Sequence, residues 1–457
     1  MTLEAFCKTP ACFSVALLGF GRANRAVLAW LRERGGTATV YTEAPLPPEV
    51  ENTYAEHGVV FHVGAFPAVF TEQALIRSPG IRPDIPAILR SVAAGALLAS
   101  EVELLMSLLP CRCIGITGSD GKTTTANLTA ALLRAAGHRV WLGGNNGTPL
   151  LPAVSQMRES DIAVLELSSF QLMTAQRAPE VAVITNITPN HLNWHTDMAE
   201  YSAAKCRIFA ADTRLVLNAE NAQTRKIGES KEKEVIFFSS SAKGADFATD
   251  IVADSGAVYA LSNDVVVTEK GTRRAFSCLH SFSLPGKHNL ENLLAAIGAT
   301  APFLSDAAPH AALRDFRGVA HRLEYVDTVR GVTYYNSSID TSPTRTAAAL
   351  AAIGTRPLVI AGGRGKGVSF APLVTALEAH AKAVYLYGEA AKEIAAVLDP
   401  QFPHKVFSRF ADAFLAAAGD AEEGDTVLLS PACTAFGEFR DFEERGEVFC
   451  RLVQGLA

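Results

Sequence analysis

A glycine-rich stretch in the first half of the chain combines residue types that bind a triphosphate. Ile114–Thr125 reads I-G-I-T-G-S-D-G-K-T-T-T, an apolar strand followed by a glycine-rich turn and a helix. The backbone amides at such a helix start favour an anion, here through Gly118, Ser119, Asp120, Gly121, Lys122, Thr123 and Thr124. Lys122 adds a mobile cation, and the Thr123 hydroxyl is a ligand for Mg²⁺. Ile116 replaces the first glycine of the strict motif, so the loop is a T-G-x-x-G-K-T variant. We interpret it as a nucleoside triphosphate site; the alternative is a helix-capping turn beside a solvated lysine.

Two further side chains have the chemistry of metal ligands, and a lysine follows them in the chain. Glu166 ends an apolar run, a position where P-loop proteins often hold an acid beside Mg²⁺, although the acid of a helix cap looks the same in sequence. His191 follows the apolar run Val181–Asn186, where α/β proteins place ligand-binding groups, but a histidine there is more often a hydrogen-bonded loop residue. Lys205 lies in a helical pattern, and on its own the simpler interpretation is a solvated surface lysine.

A second glycine-rich turn lies near the N-terminus. Gly19–Asn24 reads G-F-G-R-A-N, and Glu43 stands about twenty residues after it. The third glycine of the dinucleotide motif is absent. The segment therefore fits either a phosphate-binding turn or a tight strand–helix connection, and nothing in it requires NAD.

The elements that carry these residues follow an α/β pattern. Short apolar runs alternate with Ala- and Leu-rich helical stretches, which is typical of βαβ units and parallel sheets. The predicted strands are Ser14–Gly19, Thr37–Thr42, Cys113–Thr117, Ile162–Leu167, Val181–Asn186, Val332–Tyr335, Pro357–Ile360, Ala383–Leu386 and Thr426–Leu429. The predicted helices include Arg25–Arg34, Thr123–Ala136 and Asn289–Thr300, and the β-rich stretch from about Glu234 to Phe282 predicts a small subsheet.

Length and composition limit the possible classes of protein. The chain has 457 residues, of which 49% are hydrophobic and 19% charged, so it can form large buried cores. A net charge of −6 argues against nucleic acid as the main partner. No apolar run approaches the roughly 18 residues needed to span a bilayer. The start of the chain lacks the pattern of a leader peptide, and eight scattered cysteines without a C-x-x-C pair favour reduced thiols in a cytoplasmic protein.

We expect three α/β domains. Residues 1–108 would form an N-terminal Rossmann-like domain, 109–318 a central P-loop ATPase-type domain with the small β subsheet, and 319–457 a C-terminal Rossmann-like domain.

Taken together, these motifs resemble those of the Mur ligases. The matching stretches are T-G-S-D-G-K-T-T at 117–124, E-L-S-S-F-Q-L at 166–172, T-N-I-T-P-N-H-L at 185–192, Y-x-x-A-K at 201–205, P-G-K-H-N-x-x-N at 285–292 and the pair His321-Arg322. Their order also matches, and the resemblance covers nearly the whole chain. The run at 428–446, L-L-S-P-A-C-T-A-F-G-E-F-R-D-F-E-E-R-G, is similar to the members that add D-glutamate to UDP-N-acetylmuramoyl-L-alanine.

The resemblance implies an ATP-dependent amide ligase of peptidoglycan precursor synthesis that acts through an acyl phosphate and a tetrahedral intermediate. It implies ATP contacts at Gly118–Thr124, Asn289 and Asn292, and a γ-phosphate contact from Arg322. Two Mg²⁺ ions would be held by Thr123 and Glu166 and by His191 and a carbamylated Lys205. Lys122, His191, Lys205 and Arg322 would be catalytic. The UDP-sugar would contact Ser78, Pro79, Gly80 and Asn145, and D-glutamate would lie near Lys366, Thr434 and Phe442.

The chain departs from the family pattern at the amino-acid and uracil positions. N-S-S-I-D-T at 336–341 replaces N-D-S-K-A-T, Ala435 stands where a serine often meets the D-glutamate carboxylate, and Thr42 lies where an acid usually reads uracil. Thr434 can substitute for the missing serine hydroxyl. We expect the protein to be a monomer without a membrane span, and its partners to be small molecules.

Two other functions remain compatible with the sequence. One is a ligase of the same superfamily that adds a different amino acid to a UDP-muramoyl peptide or to folate. The other is a nucleotide-gated binding or scaffold protein without ligation, against which the joint presence of Glu166, His191 and Lys205 argues.

Overall fold

The computed structural model describes residues 1–55, 58–145, 148–230, 235–241, 255–284 and 286–456. Asn146 and Gly147 of the G-G-N-N-G run, Pro285 of the P-G-K-H-N run, Glu234 at the start of the β-rich stretch and the last residue of the third expected domain, Ala457, lie outside the described residues. Within those ranges no helix combines the length and apolar character needed to cross a membrane.

The first sheet has five strands in the order β3-β2-β1-β4-β5, and its four pairings are parallel. The strands are β1 Val15–Leu18, β2 Thr39–Thr42, β3 Val60–Val63, β4 Ala74–Arg77 and β5 Leu97–Ala99. The helices are α1 Leu3–Lys8, α2 Arg22–Arg32, α3 Pro48–Ala55, α4 Pro86–Ala93 and α5 Glu101–Leu108. All residues of β1 and β4 are buried, as expected for central strands of a parallel sheet covered on both faces.

The second sheet has nine strands in the order β14-β13-β12-β11-β10-β9-β6-β8-β7. The strands are β6 Arg112–Thr117, β7 Val140–Gly144, β8 Ile162–Glu166, β9 Val181–Ile184, β10 Arg214–Asn218, β11 Val235–Ser239, β12 Gly256–Leu261, β13 Asp264–Glu269 and β14 Thr272–Ser277. The helices are α6 Lys122–Ala135, α7 Ser169–Leu172, α8 Met198–Cys206, α9 Ala222–Glu229, α10 Lys287–Thr300 and α11 Ala308–Asp315.

The β-rich stretch does not form a sheet of its own. β12 pairs in parallel with β11, and β13 and β14 continue from it as antiparallel strands. The predicted small subsheet is thus the β12–β14 end of the nine-stranded second sheet. Because β11 is buried at every residue, it serves as an internal strand that needs a neighbour on each side.

The third sheet has six strands in the order β15-β16-β20-β17-β18-β19. The strands are β15 Glu324–Val329, β16 Val332–Asn336, β17 Leu358–Gly362, β18 Ala383–Tyr387, β19 His404–Phe407 and β20 Thr426–Ala432. The helices are α12 Pro343–Ala352, α13 Ala371–His380, α14 Ala391–Val397, α15 Phe410–Asp420 and α16 Phe442–Gln454. β15 is antiparallel to β16, whereas the remaining pairings are parallel. Separate clusters of buried apolar side chains lie on the two faces.

The chain forms two compact units. The first contains residues 1–282 and 287–315, with both the first and the second sheet, and the second contains residues 283–286 and 316–457. Three sheets with helices between their strands confirm the α/β class with three domains. The expected domain boundaries after residues 108 and 318 stay predictions.

Candidate active site

The glycine-rich loop connects the end of β6 to the start of α6. Gly118 has a φ of 153° and Gly121 a φ of 80°, values that disfavour any residue with a Cβ. A Cβ at Gly118 would also collide with the Thr185 hydroxyl, and one at Gly121 with Asn292 Oδ1. Glycine is therefore required at both positions by backbone strain and by close packing.

The segment after β9 holds this loop in shape. Asn186 accepts from the Ser119 amide at 2.9 Å through its carbonyl and from the Asp120 amide at 2.9 Å through Oδ1. The Thr185 hydroxyl donates to the Asp120 carbonyl at 2.5 Å, and the Ser119 hydroxyl donates to the Thr188 carbonyl at 2.9 Å. Residues of the T-N-I-T motif thus preorganise the loop, a role that was not predicted for them from the sequence.

The start of α6 has the features of an anion site. Gly121 is the N-cap residue, and among the described residues no side chain caps the helix. Lys122 Nζ donates to the Gly118 and Ser119 carbonyls, at 2.9 Å in each case, so its charge is held over the loop. Thr123 and Thr124 occupy the first turn of the same helix. Exposed helix amides beside a lysine offer what a phosphate group requires.

Lys205 is buried next to the loop rather than solvated. Its side chain is only 1% exposed, and its Nζ donates to the Gly118 carbonyl at 2.6 Å and lies 4.6 Å from the centre of the Tyr201 ring. Burial, followed by the nearby charge of Lys122, lowers the pKa of Lys205 to about 6. Close to neutral pH the amine is therefore largely uncharged.

His191 lies in an exposed position of the same neighbourhood. Its φ of 55° places it in the left-handed region, and its ring centre is 4.9 Å from that of Phe170. Desolvation lowers the pKa of His191, and the charges of Lys122 and Lys205 lower it further. Lys122, Lys205 and His191 thus act on one another electrostatically; Asp120 offsets part of this positive charge, and a bound phosphate would offset more of it.

Glu166 is a buried acidic residue that uses only one of its two carboxylate oxygens in hydrogen bonds among the described residues. It ends β8 directly beside β6, is 2% exposed, and accepts from Asn145 Nδ2 at 2.8 Å through Oε1. Its Oε2 is buried and has no hydrogen-bond partner among the described residues. A carboxylate oxygen without a hydrogen-bond partner suits Mg²⁺, and Thr123 provides a hydroxyl in the first turn of α6. The described residues contain no group of three or more His, Cys, Asp or Glu side chains suited to a metal.

Helix α10 places two asparagines against α6. Asn292 is buried and accepts from the Thr125 hydroxyl at 3.2 Å through Oδ1. Its Nδ2 donates to Asn289 Oδ1 at 3.4 Å. Both expected adenine contacts therefore lie on one helix that packs beside the phosphate loop.

The expected UDP-sugar residues lie at the carboxyl edge of the first sheet. Ser78–Gly80 follow β4 and face the turn at Gly19 that follows β1, where the strand order reverses. Parallel sheets bind ligands at such a switch point. The Ser78 hydroxyl is buried and unpartnered within the described part of the chain, whereas Asn145 lies after β7 in the second sheet.

A buried arginine connects this loop to the second sheet. Arg77 is fully buried and donates to the Pro79 carbonyl at 3.2 Å and to the Phe170 carbonyl at 2.6 Å. It also donates to the Thr174 hydroxyl at 3.2 Å, which in turn donates to Glu103 at 2.8 Å. Sequence reasoning missed Arg77, although an arginine that ends an apolar strand is an unusual sequence feature.

The remaining predicted residues belong to the second unit. Lys366 follows β17, and its Nζ donates to the Thr341 hydroxyl at 3.1 Å. Thr434 follows β20, the neighbouring strand, and its hydroxyl donates to the Arg364 carbonyl at 3.0 Å. The structure therefore places Lys366 and Thr434 on adjacent loops at one edge of the third sheet.

Phe442 and Arg322 lie in a second part of that unit. Phe442 begins α16, and its ring centre is 6.0 Å from that of His321, the neighbour of Arg322. His321 has a φ of 62°, and the Arg322 amide donates to the Val319 carbonyl at 3.1 Å. The turn that carries Arg322 is thus folded against the start of α16.

A cavity of about 530 Å³ opens at the carboxyl ends of β17, β18, β19 and β20. Its lining includes Gly363, Glu389, Arg409, Ala435, Phe436 and Glu438. Ala435 joins this cavity to the loop of Thr434, so the cavity borders the expected amino-acid position.

The chain matches two protein-family models. Residues 116–300 match the Mur ligase middle domain, and residues 321–433 match the Mur ligase glutamate ligase domain. A UDP-N-acetylmuramoylalanine–D-glutamate ligase from Ruminiclostridium cellulolyticum is 35% identical, over 99% of this chain and 99% of its own. The chain belongs to the Mur ligase family. The corresponding ligase from Symbiobacterium thermophilum is 37% identical, over 97% of this chain and 98% of its own.

Solved structures support the Mur ligase fold. UDP-N-acetylmuramate–alanine ligase from Thermotoga maritima superposes with a TM-score of 0.55 at 18% identity, over 97% of this chain and all of its own. A pseudomurein peptide ligase from Methanothermus fervidus gives a TM-score of 0.53 at 15% identity, over 97% of this chain and 100% of its own. At these identities the likeness concerns the fold.

Proposed function

We propose that the protein is an ATP-dependent ligase that joins D-glutamate to UDP-N-acetylmuramoyl-L-alanine in peptidoglycan precursor synthesis, with release of ADP and phosphate. The observation that carries the proposal is the preformed phosphate loop with Lys205 and His191 beside it, in a chain that is similar over its full length to D-glutamate ligases. The loop supports a triphosphate site, and the similarity supports D-glutamate as the amino acid that is joined.

The chemistry explains why cationic groups are concentrated at this loop. A carboxylate is a poor acceptor for an amine, so the substrate carboxylate first takes the γ-phosphoryl group of ATP and becomes an acyl phosphate. The amine of D-glutamate then attacks, a tetrahedral intermediate forms, and phosphate leaves. Triphosphate, carboxylate and developing oxyanion must be held together, which Lys122 and the amides of Gly118–Thr124 favour by offsetting negative charge.

Residues of both units have roles in this proposal. Lys122 and the loop bind the ATP phosphates, Asn289 and Asn292 bind adenine, and Arg322 reaches the γ-phosphate. Bound Mg²⁺ would supply charge neutralisation at the phosphates. Two ions are proposed, one held by Thr123 and Glu166 and one by His191 and Lys205.

Lys205 requires a chemical change before it can hold a cation. We propose that its amine attacks CO₂ and loses a proton, which gives an N-carboxylate with a negative charge. The burial of Lys205 supports this, because an uncharged amine is the nucleophile that the reaction needs. The resulting anion would also balance the charge of Lys122.

The other two substrates are assigned to the edges of the first and third sheets. Ser78, Pro79, Gly80 and Asn145 would hold the UDP-sugar, supported by the unpartnered Ser78 hydroxyl at the switch point. Lys366, Thr434 and Phe442 would hold D-glutamate. Thr434 would supply the hydroxyl that Ala435 lacks. We further propose a monomeric enzyme that works in the cytoplasm, the compartment that supplies its ATP.

The test is ADP release by the purified protein with UDP-N-acetylmuramoyl-L-alanine, Mg²⁺ and each candidate amino acid in turn. We expect release that requires both the UDP-sugar and D-glutamate. Release with another amino acid would show that the enzyme joins that amino acid instead of D-glutamate. This comparison matters because Ala435 stands where a serine often meets the D-glutamate carboxylate. ATP binding without any acceptor-dependent release would contradict the proposal and favour a binding protein.

A further inference from the structure

Two loops of the first unit exchange hydrogen bonds across the first and second sheets. One follows β4 and contains Gly80 and Arg82, and the other precedes α8 and contains Trp194. Trp194 Nε1 donates to the Gly80 carbonyl at 2.9 Å, and Arg82 Nη1 donates back to the Trp194 carbonyl at 2.6 Å. Arg82 also lies over the Trp194 ring, 5.0 Å from its centre. We call Gly80, Arg82, Trp194 and Glu200 the interloop clamp.

Arg82 uses its whole guanidinium group in this clamp. Nη1 and Nη2 donate to the two oxygens of Glu200 at 3.1 and 2.8 Å, while Nε and Nη2 donate to the two oxygens of Asp84 at 2.8 and 2.7 Å. Only the planar fork of arginine can satisfy two carboxylates and a carbonyl together, so lysine is not an equivalent. The bonds from Arg82 lower the pKa of Glu200 to about 2, which keeps that carboxylate ionised.

The clamp leads directly to two expected metal ligands. The Trp194 and His195 amides both donate to the His191 carbonyl, at 3.0 and 2.9 Å, so His191 sits in the turn that Trp194 closes. Glu200 lies in the first turn of α8, and Lys205 lies in the last turn of the same helix.

A second contact braces the same segment from behind. His195 Nδ1 lies 3.1 Å from Glu200 Oε2, and His195 Nε2 lies 2.9 Å from the hydroxyl of Ser169, three residues after Glu166. The Thr196 amide also donates to Glu200 Oε2 at 2.9 Å. Glu200 is thus the point at which Arg82, the His191 turn and α8 meet.

We propose that Arg82 is a positioning residue that fixes the turn of His191 and the helix of Lys205 relative to the loop Ser78–Gly80, and so couples binding of the UDP-sugar to binding of the nucleotide. This inference rests on the proposed function, because it takes Ser78–Gly80 as the UDP-sugar loop. Coupling of this kind is reciprocal: each ligand raises the affinity for the other by the same factor.

The test compares Arg82→Ala with Arg90→Ala. Arg90 is a matched control: its Nε donates to the Ala68 carbonyl at 2.9 Å in the same part of the chain, and among the described residues it makes no hydrogen bond to either loop of the clamp. Calorimetry with a non-hydrolysable ATP analogue and Mg²⁺, with and without UDP-N-acetylmuramoyl-L-alanine, gives the coupling factor. Steady-state kinetics give kcat and the KM of each substrate.

We expect at least about fivefold coupling in the unaltered protein and in Arg90→Ala, and less than about twofold in Arg82→Ala. The kcat of Arg82→Ala should fall about 10- to 100-fold, while the KM for D-glutamate changes less than about threefold. Arg82→Lys restores the positive charge but not the planar guanidinium group. Its coupling factor and kcat should therefore stay closer to those of Arg82→Ala than to those of the unaltered protein.

Other outcomes would overturn the inference. Unchanged coupling and kcat in Arg82→Ala would do so, as would full recovery by Arg82→Lys. A loss of coupling in Arg82→Ala that accompanies a lower Tm would indicate a structural role. Glu200→Gln then decides between the two roles, because it keeps the size of the side chain and removes its charge. The inference requires this variant to lose coupling with an unchanged Tm. Since the binding measurements omit D-glutamate, a failure of the proposed ligation would be seen separately in the ADP assay.

Discussion

The replacement Gly121→Ala tests how the phosphate loop depends on its contact with α10. Gly121 caps α6 with a φ of 80°, and an added Cβ would collide with Asn292 Oδ1. Gly137 lies just beyond the other end of α6 with a φ of 90°, and nothing lies within 4 Å of its Cβ position. Gly137→Ala therefore imposes the same backbone strain without the collision.

The two variants separate two free energies. An alanine in the left-handed region costs about 1–2 kcal/mol at either position. At position 121 the side chain of Asn292 must also turn away, which breaks its bond from the Thr125 hydroxyl at 3.2 Å and leaves buried polar groups unpaired. That loss costs about 1–3 kcal/mol, so Gly121→Ala should destabilise the protein by about 2–5 kcal/mol in all.

Urea denaturation and binding of an ATP analogue measure the two consequences. We expect Gly121→Ala to unfold at lower urea than Gly137→Ala and to bind the analogue at least about tenfold more weakly, since 1.4 kcal/mol corresponds to a factor of about ten. The Gly137→Ala variant should bind with unaltered affinity. Equal destabilisation by the two changes, or equal affinities, would refute the role assigned to the contact with Asn292.

Three further predictions concern buried ionisable groups. Lys205→Ala should lower kcat about 10²- to 10³-fold, and added short-chain carboxylates that replace the carbamate should restore part of the activity. The control is Lys226→Ala, which changes an exposed lysine. Full activity of Lys205→Ala without added carboxylate would contradict the prediction. Glu166→Gln should raise the Mg²⁺ concentration for half-maximal ADP release at least about tenfold, because the amide keeps the contact with Asn145 but loses the charge. The control is Glu159→Gln, which changes an exposed glutamate. An equal shift in both variants would contradict a role for Glu166 in binding Mg²⁺. Burial raises the folded-state pKa of Glu101 from 4.5 to about 7, so the folded protein retains a proton that the unfolded chain has lost, and stability falls as pH rises through 7. Between about pH 5.5 and 8.5 the unaltered protein should lose roughly 2 kcal/mol more than Glu101→Gln in urea denaturation, and parallel pH curves would refute this.

Several elements with strong local signals were predicted to within one residue at each end. The predicted strand Cys113–Thr117 is β6 Arg112–Thr117, and the predicted helix Thr123–Ala136 is α6 Lys122–Ala135. Apolar runs and turn glycines determine these elements locally.

Edge strands gave no such signal. β15 and β19 were not predicted, and both lie at the edges of the third sheet with mostly partly or fully exposed side chains. A strand with one open edge does not need a continuous apolar run, so its sequence resembles that of a loop.

The environment of Lys205 also escaped local reasoning. On its own, a lysine in a helical pattern predicts a solvated side chain, but the partner of Lys205, the Gly118 carbonyl, lies 87 residues away in the chain. Arg82 and Glu200 are 118 residues apart, and Thr125 and Asn292 are 167 apart. Such contacts depend on how the strands are ordered in the sheets, and residue spacing does not determine that order.

The altered stretch 336–341 shows why a departure from a family motif need not change the substrate. Asp340 is buried and accepts from the Ser430 hydroxyl at 2.9 Å, and Ser338 accepts from Arg445 Nε at 3.0 Å. Arg445 is fully buried in α16, the helix that begins with Phe442. The replaced residue Asp340 therefore joins the stretch after β16 to β20, whereas Ser338, which the motif also has, joins it to α16.

Two of the residues proposed to bind the amino acid, Lys366 and Thr434, lie on the loops after β17 and β20. Lys366, bonded to Thr341, supplies a positive charge, and Thr434 supplies a hydroxyl beside Ala435. Because a charged amino-acid side chain is selected by the groups that pair with it, we expect Lys366 and Thr434 to decide which amino acid is accepted. Exchanging Ala435 for serine should then alter the affinity for D-glutamate more than the choice of amino acid, since in this proposal Lys366 pairs with the carboxylate in either variant.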